Sequence, residues 1–202
     1  MTIFDVSAYQ GKIDIQKVCF DPDVAGLIFR TTIKSGNLDS ACKEYMDAAF
    51  DQRDVGNIKY VAGYKFAYSR TYYDAFLECM QTLQTLDEFG FLYPLDHFYL
   101  DLEDWSCRPY TTGEANEVIK GYMDACKEMS VPFGLYFNLN YLRHIIDKRW
   151  NFLPLWVARY NKELGDTSPW KPWLWQYSSE GIHEGIEKRV DVNEVLIDEY
   201  LH

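Results

Sequence analysis

The chain has no cluster of Lys or Arg, no apolar stretch of membrane-spanning length, no C-x-x-C pair and no Pro/Gly/Ser-rich linker. Each absence excludes something. With 20 Lys and Arg against 31 Asp and Glu, the net charge of -11 repels phosphate, which argues against nucleic acid and against an anionic membrane surface as partners. A transmembrane helix needs about 20 consecutive apolar residues, and none are present. The start, Met1-Thr2-Ile3-Phe4-Asp5-Val6-Ser7, has neither a basic nor an apolar leader region, so a cytoplasmic protein is expected unless a leader has been removed. Five cysteines (Cys19, Cys42, Cys79, Cys107 and Cys126) are odd in number and widely spaced, which fits reduced core thiols rather than a disulfide framework or a zinc site. Histidine is scarce: His97, His144, His183 and His202 sit in no Cys/His motif of a nucleophilic enzyme.

What the chain does have is 202 residues that are 48% hydrophobic, enough for one sizeable core, and a single domain over 1–202 is expected. Aromatic residues make up 17%, with 16 Tyr and 6 Trp, which suits a large core or a cleft where rings stack on sugars. Strand-like and helix-like segments alternate, the pattern of a parallel sheet. Strands are expected at Ile3–Val6, Gly26–Thr32, Tyr60–Tyr68, Tyr99–Glu103, Phe133–Asn138, Leu155–Tyr160, Trp173–Ser178 and Val190–Val192. Helices are expected at Ser40–Arg53, Thr71–Glu88, Tyr141–Trp150 and from a capping box at Thr111-Thr112-Gly113-Glu114 to Glu128. Asp14 is expected to cap a further short helix after Gly11. Eight strands with helices after only the early ones predict a (β/α) barrel that has lost its last helices, with its site at the C-terminal strand ends.

The stretch His97–Trp105 reads as a strand with Phe98, Leu100 and Leu102 on one face and Tyr99, Asp101 and Glu103 on the other. Two acids two residues apart at a strand end suit a general acid with an electrostatic helper, a divalent metal site or a structural ion-pair cluster. Asp5 at the end of the first strand and Asp191 on the eighth would join them, whereas Asp104 reads as structural. Aromatic rings follow the acids. Tyr64, Phe66 and Tyr68 share a face of the third strand, Tyr136 lies on the fifth, Trp156 and Tyr160 share a face of the sixth, and Trp175 and Tyr177 a face of the seventh. No His or Asn cluster accompanies the acids, and neither a metal nor another cofactor is expected.

Five segments, in order along the chain, carry a resemblance: Asp5-Val6-Ser7-Ala8-Tyr9-Gln10-Gly11-Lys12-Ile13-Asp14, Gly63-Tyr64-Lys65-Phe66-Ala67-Tyr68, Leu100-Asp101-Leu102-Glu103, Trp156-Val157-Ala158-Arg159-Tyr160, and Trp175-Gln176-Tyr177-Ser178-Ser179 with Gly185-Ile186 and Val190-Asp191-Val192-Asn193. Together they resemble glycoside hydrolase family 25, the Chalaropsis-type lysozymes. The resemblance implies an irregular TIM-like (β/α)5(β)3 barrel that cleaves the β-1,4 bond between N-acetylmuramic acid and N-acetylglucosamine in cell-wall peptidoglycan. It implies Glu103 as general acid, Asp101 as support for the substrate's 2-acetamido group, and Asp5 and Asp191 as the rest of the acidic cleft. Tyr64, Phe66, Tyr68, Tyr136, Trp156, Tyr160, Trp175 and Tyr177 become candidate sugar contacts. One segment departs from the family: Arg30-Thr31-Thr32-Ile33-Lys34-Ser35-Gly36-Asn37 replaces an Ala-Thr-Glu-Gly-like stretch after the second strand. A family 18 chitinase would need Asp at position 99, which is Tyr, and an inactive carbohydrate-binding module would be expected to have lost an acid. A leaderless wall hydrolase fits a phage endolysin that waits in the host cytoplasm, with a bacterial autolysin as the alternative. A C-terminal wall-binding module beyond Leu201-His202 remains open.

Overall fold

In a computed structural model of the chain, which describes residues 1–104 and 108–201, eight strands close into a barrel in sequence order. The expectations for Trp105, Cys107 and His202 lie outside the described residues. The strands are β1 (Thr2–Val6), β2 (Val24–Arg30), β3 (Tyr60–Phe66), β4 (Phe98–Asp101), β5 (Phe133–Asn138), β6 (Leu155–Ala158), β7 (Leu174–Gly181) and β8 (Val190–Val195). Helices follow the first five: α1 (Ile15–Cys19), α2 (Cys42–Asp54), α3 (Tyr72–Glu88), α4 (Thr112–Glu128) and α5 (Leu139–His144). This is the (β/α)5(β)3 arrangement. Strands β1 to β7 pair in parallel, and β8 closes the barrel antiparallel to both β7 and β1. Among the described residues no helix is long and apolar enough to cross a membrane.

Four of these helices start where the sequence supplies a side-chain oxygen for a free backbone N–H. Asp14, Thr71 and Asn138 accept from Lys17, Asp74 and Tyr141, and Thr111 with Glu114 forms the expected capping box. Four expectations of extent need correction, the first being the third strand, which ends at Phe66 and leaves Tyr68 beyond it. The fourth strand stops at Asp101, so Glu103 lies on the segment that leaves the sheet; only Leu102 still donates to the neighbouring strand, to Tyr136 O. The sixth strand ends at Ala158, which leaves Tyr160 beyond it. The helix expected over Tyr141–Trp150 is broken into α5 and a separate 3-10 turn at Lys148–Trp150, because the Asp147 carboxylate accepts from Arg149 N and starts a new turn.

Alternation along the strands separates two cores. Phe4, Leu27, Phe29, Val61, Phe98, Leu100, Leu135, Phe137, Val157 and Val192 point outward and pack beneath the helices. Inside the barrel lie Ile3, Ile28, Tyr60, Ala62, Tyr99, Tyr136, Trp156, Trp173 and Leu174. Tyr99 fills the barrel floor, where its hydroxyl meets Tyr60 Oη (2.8 Å) and the Trp173 indole N–H (3.0 Å). Gly134 makes room for that ring: a Cβ there would come within 2.3 Å of Tyr99 Cε1.

Outside, α3 and α4 pack closely because Gly121 has no side chain. A Cβ at 121 would lie 2.6 Å from Tyr72 O and 2.8 Å from Ala75 Cβ, and backbone cannot swing away. Two effects oppose one another in Gly121→Ala. Alanine gains up to about 1 kcal/mol of helix propensity, whereas overpacking against backbone costs about 1–3 kcal/mol. The clash wins: the denaturant midpoint of Gly121→Ala should fall, and a rise would show that the two helices are not held at this distance.

Candidate active site

The strand register gathers the expected acids at one end of the barrel. Asp5 on β1 stands directly opposite Asp191 on β8, and Asp101, the last residue of β4, pairs in register with Phe66 and Tyr136 on its two neighbours. Asp5 and Asp101 are 4% and 6% exposed, so both are removed from water. Glu103 is partly exposed at the mouth, where it lines a pocket with Asn138, Ala158, Arg159 and Tyr160.

Asp5 is held from two strands at once. Its Oδ2 accepts from Asn193 Nδ2 on β8 (2.8 Å) and from Gln176 Nε2 on β7 (3.0 Å). Asn193 Oδ1 in turn accepts the Trp156 indole N–H (2.7 Å), and Gln176 Oε1 accepts from the hydroxyls of Tyr136 (2.8 Å) and Tyr160 (3.0 Å). Burial, followed by the charge of Asp191, pushes Asp5 well above the ordinary carboxylate range, and the two amides pull part of the way back. Asp101 is less compensated. Its Oδ1 is buried with no hydrogen-bond partner among the described residues, and burial with the charges of Glu103, Asp5 and Asp191 pushes its carboxyl well up.

Glu103 is raised too, by burial first and then by the charges of Asp191 and Asp104. Asp191 is raised by burial. The environment therefore favours the protonated form of a carboxyl at the mouth, which is the state a general acid needs. Burial and the charges of Asp5 and Asp101 likewise push the Tyr64 hydroxyl well above its usual value, so that ring stays neutral beside the acids. Asp104 accepts a hydrogen bond from the Tyr141 hydroxyl, a structural contact.

The candidate rings separate by position. Tyr64, Phe66 and Tyr68 are half-buried on the β3 side of the mouth, with Phe66 and Tyr68 5.1 Å apart, and Tyr160 is 59% exposed across from them. Tyr136 and Trp156 lie below, packed 4.4 Å apart, and Trp156 is 1% exposed. Trp156 presents no free ring face; its indole serves Asn193. Trp175 and Tyr177 share a face as expected, but it is the outer one, because Leu174 and Gln176 between and before them point into the barrel. The Trp175 indole N–H is spent on Arg159 O (2.9 Å).

Gln176 and Asn193 carry no site role in the sequence reading. A signal was available for Asn193, which shares the inward face of its strand with Asp191, and an inward amide in a barrel needs partners; Gln176 alternates with Trp175 and Tyr177, so reading those rings as inward turned it outward. The segment Arg30–Asn37 after β2 is pinned by specific contacts. Thr32 bridges to Leu38, Arg30 pairs with buried Asp39 (2.5 Å), and the buried Lys65 ammonium donates to Ile33 O (2.7 Å). Among the described residues no group of three or more His, Cys, Asp or Glu side chains is arranged to hold a metal ion.

Comparison with known proteins bears on the family and the fold. The family model described as glycosyl hydrolases family 25 matches residues 4–186. No curated protein matches by sequence. Among solved structures, the modular autolysin LytC from Streptococcus pneumoniae, in complex with a synthetic peptidoglycan ligand, is 24% identical with a TM-score of 0.82 over 95% of this chain and 46% of its own. The CTP1L endolysin is 21% identical (TM-score 0.81, 98% of this chain and 67% of its own), and the catalytic domain of endolysin ply40 from bacteriophage P40 of Listeria monocytogenes is 19% identical (TM-score 0.77, 100% and 95%). The chain thus spans less than half the length of LytC. With the family model matching from the first barrel strand to Ile186, the chain belongs to glycoside hydrolase family 25.

Proposed function

We propose that this glycoside hydrolase is an N-acetylmuramidase that cleaves the β-1,4 bond between N-acetylmuramic acid and N-acetylglucosamine in bacterial peptidoglycan. The observation that carries the reading is Glu103, a partly exposed carboxyl raised above its usual pKa at the mouth of a barrel whose deeper acids are buried. Similarity to LytC, which was solved with a peptidoglycan ligand, and to two endolysins supports the substrate class. In this mechanism the protonated Glu103 donates to the glycosidic oxygen as the bond breaks, the Asp101 and Asp191 carboxyls border the sugar on which oxocarbenium character develops, and water, directly or after the 2-acetamido oxygen, takes up the anomeric carbon. Asp101 faces the 2-acetamido group, and Asp5 holds the cluster from β1. Tyr64, Phe66, Tyr68 and Tyr160 offer rings to the glycan, with Tyr136 and Trp156 shaping the floor beneath it. We read the biological role as that of an endolysin; a bacterial autolysin would use the same chemistry, and the neighbouring genes distinguish them.

Incubation with purified peptidoglycan should release new reducing N-acetylmuramic acid ends, identified by mass spectrometry, and Glu103→Gln should lower the rate by about 10²–10⁴-fold. Reducing N-acetylglucosamine ends would instead identify a glucosaminidase, and wall binding without cleavage a carbohydrate-binding module. The rate should persist to pH values above the ordinary glutamate pKa of about 4.3 and fall as pH rises through the raised value of Glu103.

Stability should follow the opposite variant logic. A carboxyl whose pKa is higher folded than unfolded contributes stability below its unfolded pKa, and that contribution is lost as pH rises through the folded pKa. At neutral pH the buried Asp101 therefore works against the fold. Asp101→Asn should raise Tm at pH 7 by about 2–4 °C, equivalent to about 1 kcal/mol for a domain this size, while lowering activity. The difference from wild type should shrink towards pH 3; a variant less stable at pH 7 would overturn this account.

A further inference from the structure

Above Tyr136, strand β5 presents one more side chain to the inside of the barrel. Gly134 and Tyr136 face inward, so Asn138, the last residue of the strand, faces inward too, paired in register with inward Ala158 on β6. The chain leaving β4 still runs beside it. Asp101 pairs with Tyr136, Leu102 N–H donates to Tyr136 O (3.2 Å), and Glu103 comes to line a pocket of about 180 Å³ with Asn138, Ala158, Arg159 and Tyr160. Polarity fixes which way the Asn138 amide is turned. Its side chain caps α5 by accepting from Tyr141 N (2.9 Å), and a backbone N–H only donates, so the atom facing the helix is Oδ1. Nδ2, on the opposite side of the amide, is left to the pocket, and among the described residues no group accepts from it.

The other polar side chains of this pocket have partners on the protein. Tyr160 Oη donates to Gln176 Oε1 (3.0 Å), and Arg159 donates a guanidinium N–H to Leu164 O and its backbone N–H to Gln176 O. Beside the acid there is thus an amide donor of fixed direction, next to an apolar wall made by the Ala158 methyl and the exposed Tyr160 ring. An acetamido group has the matching shape and chemistry, a strong neutral carbonyl acceptor beside a methyl group. We propose that Asn138 is a specificity-determining residue, whose Nδ2 donates to the N-acetyl carbonyl of the sugar on the leaving-group side of the bond that Glu103 protonates. The 2-acetamido group of the other sugar is met deeper in the barrel, at Asp101 on β4, whereas Asn138 stands two residues above Tyr136 at the rim. Because α5 holds Oδ1, the amide cannot turn its oxygen to a ligand without giving up the cap, so the pocket selects an acceptor. A sugar carrying a free amine there, charged at neutral pH, meets a donor with donors.

This inference rests on the muramidase reading, and its test separates the two. Wild type and Asn138→Ser are compared on intact peptidoglycan and on peptidoglycan whose N-acetylglucosamine units have been de-N-acetylated; the serine oxygen keeps the α5 cap while the amide donor is lost. Wild type should favour the acetylated glycan by about tenfold in kcat/KM, chiefly through KM. In Asn138→Ser that preference should drop to under about threefold, through loss of rate on the acetylated glycan alone. The acidic cleft acts on the substrate amine equally in both proteins, so the change in preference is the readout. A purely structural role for Asn138 would lower Tm and slow both substrates alike. Equal preference in wild type and Asn138→Ser, or no preference in wild type, overturns the proposal. If Asn138→Ser does not fold, Asn138→Thr, whose hydroxyl also caps, is read the same way. The reducing ends released by wild type are identified in the same reactions. Ends other than N-acetylmuramic acid overturn the muramidase reading, whereas N-acetylmuramic acid ends with an unchanged preference overturn the Asn138 assignment alone.

Discussion

An acid placed inside a closed barrel must be answered by donors from the barrel wall, and the clasp on Asp5 Oδ2 is where this protein meets that requirement. One amide comes from β7 and the other from β8, so a single carboxylate oxygen joins the first strand to the last two. Each amide is itself oriented by a partner of fixed polarity, the Trp156 indole for Asn193 and two tyrosine hydroxyls for Gln176. The network is fully satisfied on this side, which is the condition under which buried polar groups specify one arrangement instead of several. On the other side, Asp101 is left with a bare oxygen. Asymmetry of this kind is how neighbouring carboxyls in one cleft come to hold their protons differently.

Packing supplies the frame within which that asymmetry persists. Large rings fill the interior below the acids, and Gly134 admits the Tyr99 ring where any Cβ would collide with it. A floor of Tyr60, Tyr99 and Trp173 joined by hydroxyl and indole bonds leaves little freedom for the layer above. The cost of four crowded acids is thus borne by a rigid aromatic plug on the inside and an apolar shell under the helices outside. The loop after β2 is tied to the same frame through buried Lys65 and the Arg30–Asp39 pair.

Much of this was legible before any coordinates. The periodicity of Phe133–Asn138 and the Thr111/Glu114 capping box mark their elements closely, since each depends on local chemistry. The positions of Asp5, Asp101 and Asp191 were legible because alternation and strand-end placement put them on the inner face. What local pattern could not convey was where a strand leaves the sheet. Glu103 obeys alternation on paper yet sits past the last ladder residue, and Tyr160 likewise lies beyond β6. Face assignment failed for Trp175 and Tyr177 because an aromatic pair on alternate positions looks the same whether it faces in or out; only the inward Gln176 between them decides it. Asn193 and Gln176 escaped notice because their importance lies in partners that are far away in sequence.

That distance has a consequence in time. Asp5 belongs to the first strand made and Asn193, 188 positions later, to the last. Contacts of such separation close late, after the intervening strands and helices have formed locally. During synthesis the growing chain can build most of its barrel wall while the acidic cluster is still unassembled, because neither Asp191 nor the clasp on Asp5 exists until β8 arrives to close the ring. A nascent or truncated chain that stops short of β8 is consequently a barrel with an open seam and no completed site, so that the ability to act is the last property the molecule acquires.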